Sequence, residues 1–186
     1  MLVIQYGGQS LREILRRMHP NKFTWKDVVY ALRDISRGLV DIHHQNLIHG
    51  NLHSGNILIS NDGTYFRITD LGICWPINQS YDSYLAPEIL NGDTYTQAAD
   101  IYSIGSLMYE LVTGYPPIRG KIDTEFALSA PEFYQELINQ CWHHVPMNRP
   151  SARQIYDKFV IWWSGGQKIV NLGDAMTVTS SFRNLL

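Results

Sequence analysis

The chain has 186 residues, 45% of them hydrophobic, which is enough for one packed domain and too few for two ordinary ones. Its 15 basic and 17 acidic residues give a net charge of −2, so no basic field attracts nucleic acid or an anionic membrane. The apolar runs stay well below the roughly 20 residues of a membrane span, and no signal segment follows Met1. Two cysteines, Cys74 and Cys141, cannot form a disulfide framework. We therefore expect a cytoplasmic protein without a nucleic-acid or membrane partner.

The chain begins with a predicted strand at residues 2–6, which ends at Gly7-Gly8. Beyond it, apolar residues recur every three or four positions in several stretches, as they do in helices that bury one face. The clearest stretch begins after Thr24, a predicted helix cap, and includes Leu32, Ile35 and Leu39. Helices are predicted over residues 10–18, 24–44, 98–113, 131–142 and 151–163.

Short apolar pieces interrupt this helical pattern in the middle of the chain. Two of them flank the turn sequence Asn61-Asp62-Gly63, so a β-hairpin is predicted over residues 57–69. The last segment, 164–186, contains several glycines and serines and shows no periodicity. We expect this tail to be extended or disordered.

Several short motifs occur in a fixed order along the chain. They are His49-Gly50-Asn51-Leu52 continuing to Asn56, Asp70-Leu71-Gly72, Ala86-Pro87-Glu88, Asp100 to Gly105, and Cys141-Trp142 with Arg149-Pro150-Ser151. The first four resemble the catalytic loop, metal-binding triplet, activation-segment end and central helix of protein kinases. The last resembles the ending of tyrosine kinases and of tyrosine-kinase-like serine/threonine kinases.

This resemblance implies a mainly α fold, the C-terminal lobe of a protein kinase with a small β-hairpin and without the N-terminal lobe. It covers residues 1–163, interpreted as a truncated kinase domain, and leaves the tail 164–186 outside. Residues 2–8 look like the last small-lobe strand running into the hinge. Gln5, Tyr6, Gly7 and Leu58 then match the hinge and the adenine floor, in vestigial form. The glycine-rich loop and the phosphate-binding lysine are not in this sequence, so we expect Mg-ATP to bind weakly or not at all.

The catalytic-loop position that normally carries the proton-accepting aspartate is Asn51. An amide does not accept a proton near neutral pH, and losing acid–base help typically costs about 10² to 10⁴ in rate. Gly50 replaces the arginine that grips a phosphorylated activation loop. Asn56 and Asp70 match the two metal-ligating positions, and their oxygen atoms suit Mg²⁺. Their alternative role is local hydrogen bonding within the loops.

Other matching positions belong to the scaffold. Asp100 resembles the aspartate that caps the central helix and binds the catalytic-loop backbone near His49. Glu88 and Arg149 resemble the partners of a buried ion pair.

Three functions remain open from the sequence. The leading one is an inactive pseudokinase or remnant that acts by binding other proteins. Its partner would be an active kinase, or a second copy that associates through the face left exposed without the N-lobe. The second is a serine/threonine or tyrosine protein kinase whose N-lobe lies upstream, although His53 at the usual lysine position leaves the hydroxyl specificity unreadable. The third is a nucleotide-binding regulatory module that uses Asn56 and Asp70 without transferring phosphate.

Overall fold

The structure, a computed structural model, describes residues 8–17, 23–70, 83–118, 121–123, 126 and 130–165. Its helices are α1 (Leu11–Arg17), α2 (Trp25–His44), α3 (Pro87–Leu90), α4 (Gln97–Thr113), α5 (Glu132–Cys141) and α6 (Ala152–Trp163). Its strands are β1 (Ile57–Ile59) and β2 (Phe66–Ile68). The mainly α fold with one hairpin is confirmed.

All five predicted helices and the hairpin are present within two residues of the expected bounds. The one-turn helix α3 was not predicted, because four residues carry no periodic pattern. The strand predicted at 2–6, the hinge residues Gln5, Tyr6 and Gly7, and the tail beyond Gly165 lie outside the described residues.

Helix α4 forms the centre of the molecule. Every residue from Ala99 to Leu111 is buried, since neighbouring elements cover the helix on all sides. Gly114 ends α4 in the left-handed conformation (φ 83°), a backbone shape that favours glycine. The amphipathic helix α2 begins at a capping box between Thr24 and Asp27 and packs its apolar face mainly against α6. This arrangement fixes α4 as the support for the loops around it.

The hairpin sets the spacing of the loops at its open end. Strands β1 and β2 pair antiparallel, with Leu58 opposite Arg67, and β2 contacts α2. Beyond the strands, the Thr69 N–H donates to the carbonyl of Asn56 at 2.9 Å. The pairing therefore brings the segment before β1 next to the segment after β2. No helix in the described part of the chain is long and apolar enough to cross a membrane.

Candidate functional site

The loop before β1 brings Asn51 and Asn56 together. Residues Ser54–Asn56 form a 3₁₀ turn, in which the Asn56 N–H donates to the His53 carbonyl at 2.9 Å. The Asn56 side-chain amide then donates to the backbone carbonyl of Asn51, also at 2.9 Å. This bond spans the loop and fixes the backbone at the position that matches the catalytic base.

His49 connects this loop to the segment after β2. Its Nε2 lies 2.8 Å from the Thr69 carbonyl, and the Asn51 N–H donates to its Nδ1 at 3.2 Å. A carbonyl only accepts, so Nε2 donates to Thr69 while Nδ1 accepts from Asn51. The ring thereby holds Asn51 and the residue before Asp70 on one side of the hairpin.

Asp70 follows directly, with an exposed side chain and a left-handed backbone (φ 60°) that few residues other than glycine, asparagine and aspartate adopt. In the described part of the chain, no group donates a hydrogen bond to the Asn56 side-chain oxygen. An amide oxygen and an exposed carboxylate are hard donors of the kind that Mg²⁺ takes when it is shared with phosphate. The structure thus brings the three predicted residues Asn51, Asn56 and Asp70 together, while their roles stay predictions.

Asp100, on α4, binds the backbone of the same loop and is only 2% exposed. Its Oδ2 accepts from the His49 N–H at 2.9 Å, and its Oδ1 accepts from the Gly50 N–H at 2.8 Å. The predicted contact with the loop backbone near His49 is present, but the predicted cap of the central helix is wrong, because Asp100 lies inside the first turn of α4. Thr96 occupies the cap position, and its side chain makes no capping bond. Gly50 has a φ of 74°, so a residue without Cβ relieves strain here.

Sequence reasoning missed His43, whose Nε2 lies 2.8 Å from Asp100 Oδ2. His43 lies four residues after Leu39, which belongs to the buried stripe of α2, and this spacing could have indicated that His43 faces the interior.

A buried polar cluster beside the loop was also missed. The Tyr84 hydroxyl donates to Glu110 Oε2, and Ser54 Oγ donates to Glu110 Oε1 at 2.9 Å. Arg12 Nε donates to Ser54 Oγ at 3.1 Å. Burial raises the pKa of Glu110 and that of Tyr84 above their ordinary values. The cluster joins α1, the catalytic-loop position, the segment before α3, and α4.

Glu88 and Arg149 form a bidentate ion pair. Arg149 Nη1 donates to Glu88 Oε1 at 2.6 Å and Nη2 donates to Oε2 at 2.8 Å. The arginine also donates to the carbonyls of His143 and Ala98, both at 2.9 Å, and lies over the Tyr102 ring. The pair thus joins α3, the start of α4 and the loop after α5.

His53 supplies a pH-dependent test of this site. Burial, the nearby Arg12 and the nearby His49 lower the pKa of His53 to about 4, from an ordinary value of 6.5. As the pH falls from about 6.5 to about 4, the unfolded chain binds a proton that the folded chain excludes, so stability is lost. Protonation would also remove the Nδ1 acceptor of the Gly55 N–H.

We expect urea midpoints of the wild type to fall over that pH range relative to those of His53→Gln. The pKa of Glu110 is raised, so its contribution to stability changes with pH in the opposite direction. Because both proteins contain Glu110, that contribution cancels when they are compared. Parallel pH profiles would contradict the assignment.

The fold and the loop define a protein-kinase-like catalytic lobe: a buried central helix supports a loop and hairpin that gather Asn51, Asn56 and Asp70. Comparison with known families agrees, since the protein kinase domain matches residues 1–161. The chain belongs to the protein kinase family.

Among its relatives, a probable serine/threonine-protein kinase of Dictyostelium discoideum is 26% identical over 80% of this chain and 10% of its own length. The serine/threonine/tyrosine-protein kinase HT1 of Arabidopsis thaliana is 28% identical over 83% of this chain and 45% of its own length. Human serine/threonine-protein kinase Nek5 is 29% identical over 83% of this chain and 25% of its own length. The chain therefore spans less than half the length of these curated relatives.

Proposed function

We propose that this kinase-family chain does not transfer phosphate and acts by binding another protein. One observation carries the proposal: the catalytic-loop backbone is fixed by Asn56 and His49, yet the side chain at the base position is the amide of Asn51. An amide supports the loop without accepting the proton of a substrate hydroxyl. The loop is therefore retained as structure without its acid–base group.

Gly50 supports the same proposal. Its N–H binds Asp100, and it has no side chain with which to grip a phosphorylated segment. A charge-assisted clamp of the kind an arginine provides is therefore not available at this position. The chain has lost both the base and the clamp while keeping the buried bonds beneath them.

The partner that we propose is another protein, either an active kinase or a second copy of this chain. Once catalysis is removed, a folded surface that a partner recognises is the function the domain can still supply. The cytoplasmic location expected from the sequence belongs to this proposal.

The decisive experiment is a phosphotransfer assay on the purified chain with ATP and either Mg²⁺ or Mn²⁺. We expect no transfer to itself or to a generic protein substrate above an enzyme-free blank. An active kinase assayed alongside should exceed it by at least about 10²-fold. Transfer that is clearly above the blank, and that disappears in Asp70→Ala, would instead establish an active kinase like the relatives.

A second candidate is a regulatory module that binds Mg-ATP without transfer. The exposed Asp70 favours it, because the preceding residue, Thr69, is bonded to the backbone of Asn56. A ligand that binds only the folded state raises the melting temperature by mass action. Under this candidate Mg-ATP raises the melting temperature of the wild type and not of Asp70→Ala, whereas equal melting temperatures with and without Mg-ATP dismiss it.

A further inference from the structure

A groove of about 380 Å³ lies between α2 and the hairpin strand β2. Its apolar lining comes from Ile42, Phe66 and Ile68. Two acidic and two basic residues, which include Asp41 and Arg37, also line it, so their formal charges cancel. A groove without net charge does not attract a phosphate group, and its volume is near the lower end of small-ligand sites, which span about 300–1,000 Å³. It therefore suits a few uncharged apolar side chains better than a nucleotide.

One side of this groove is the outer edge of β2. The Thr69 N–H donates to the carbonyl of Asn56, on the β1 side of the hairpin. Backbone groups of successive residues face opposite sides of a strand, so those of Phe66 and Ile68 face away from β1. The Phe66 N–H accordingly donates to Asp34 Oδ2, on α2, at 3.4 Å. The groove thus borders a strand edge of the kind to which an extended segment adds by backbone pairing.

Helix α6 ends close to the same groove. The ring of Trp163 lies 5.2 Å from that of Tyr30, and the ring of Tyr30 lies 6.3 Å from that of Phe66, which lines the groove. Gly165 then adopts the left-handed conformation (φ 83°), which ends a helix and turns the chain. The residues that follow α6 therefore start within a few side chains of the groove.

The direction of α6 determines how far these residues must extend. Helices α2 and α6 run antiparallel, since Arg37 lies over the ring of Tyr156, whereas the earlier Tyr30 contacts the later Trp163. A chain that reverses at the end of α6 therefore runs along α2 towards the groove. From Tyr30 to Gly38, which lines the groove, α2 rises by about 12 Å. Four extended residues cover about 13 Å, so the segment that reaches the groove begins about four residues after Gly165.

We propose that residues 169–172, Ile-Val-Asn-Leu, bind in this groove alongside the outer edge of β2. The segment is uncharged, as the groove requires, and contains the first three apolar side chains after Gly165. An extended conformation, which the sequence predicts for the tail 164–186, is the one that pairing with a strand edge needs. The tail then covers a strand edge on which another chain would otherwise pair. The proposal goes beyond the loss of phosphotransfer and holds whether or not the chain is active.

Amide hydrogen exchange and NOE contacts, measured by NMR on the full 186-residue chain, test the proposal. In the wild type, we expect NOE contacts between the methyl groups of Leu172 and those of Ile68, and slow exchange of the Ile68 amide. The double variant Ile169→Asp/Leu172→Asp puts two carboxylates against an apolar lining, which disfavours binding. We expect exchange of the Ile68 amide to rise at least about tenfold in that variant, with α4 amides unchanged.

Val178→Asp/Phe182→Asp is the matched control, because it makes the same kind of change further along the tail. It should leave exchange of the Ile68 amide at the wild-type rate. Equal effects of the two double variants, or no contact between Leu172 and Ile68 in the wild type, would overturn the proposal. Tenfold dilution should not change the exchange rate. A rate that rises on dilution would mean that a second copy of the chain occupies the groove, and would also overturn the proposal.

Discussion

Glu88→Ala is expected to lower the free energy of unfolding by about 3 to 5 kcal/mol, the usual cost of leaving one partner of a buried ion pair behind. The Arg149 side chain is 0% exposed, so without Glu88 a buried charge loses its carboxylate partner. A domain is typically stable by only about 5 to 15 kcal/mol, so this variant loses a large part of its stability. Urea denaturation followed by tryptophan fluorescence measures the loss.

The exposed pair Arg153–Asp157 provides the control, with side chains 69% and 48% accessible. Asp157→Ala should change stability by no more than about 1 kcal/mol, because exposed ion pairs contribute little.

Burial raises the pKa of Glu88, but hydrogen bonds from Arg149 and the backbone outweigh this effect and bring the pKa below 4.5. The stabilisation is therefore present above pH 4.5 and is lost as the pH falls below it. Equal losses in Glu88→Ala and Asp157→Ala would refute the role of the pair.

The helices were predictable because their information is local. The stripe on α2 and the continuous apolar run of α4 specify burial by spacing alone, whichever element covers them. The one-turn helix α3 was not predictable, since it forms where Pro87 begins a turn and Arg149 holds Glu88. Its stability comes from a residue that is 61 positions away.

The site divides in the same way. Asn51, Asn56 and Asp70 were found because they belong to motifs with fixed spacing. The pairing of Tyr84 with Glu110 was not found, because the two lie 26 positions apart and no local spacing connects them. The family motif indicated that Asp100 acts on the loop. Only the structure shows that Asp100 lies inside the first turn of α4 and that Thr96 stands at the cap position.

Asp100→Asn is the sharpest test of the scaffold under the catalytic-loop position, because it keeps the side-chain shape and changes only the hydrogen bonding. An asparagine offers one acceptor oxygen, whereas three donors converge here: the N–H groups of His49 and Gly50, and His43 Nε2. At least one buried donor then faces an amide NH₂. A lost bond to a buried carboxylate costs about 1.5 to 3 kcal/mol, so we expect a loss of at least that size.

The surface substitution Asp41→Asn is the matched control, since that side chain is 65% exposed and pairs with the exposed Arg37. It should change stability by less than about 1 kcal/mol. The two variants also differ in where they act: in Asp100→Asn, amide exchange should rise first at His49 and Gly50, whose N–H groups lose their acceptor. A stability within about 0.5 kcal/mol of the wild type would mean that water or a rearranged His43 satisfies the donors. A large loss with exposed loop amides would show that the chain keeps a buried charge to hold a loop whose catalytic base has been replaced.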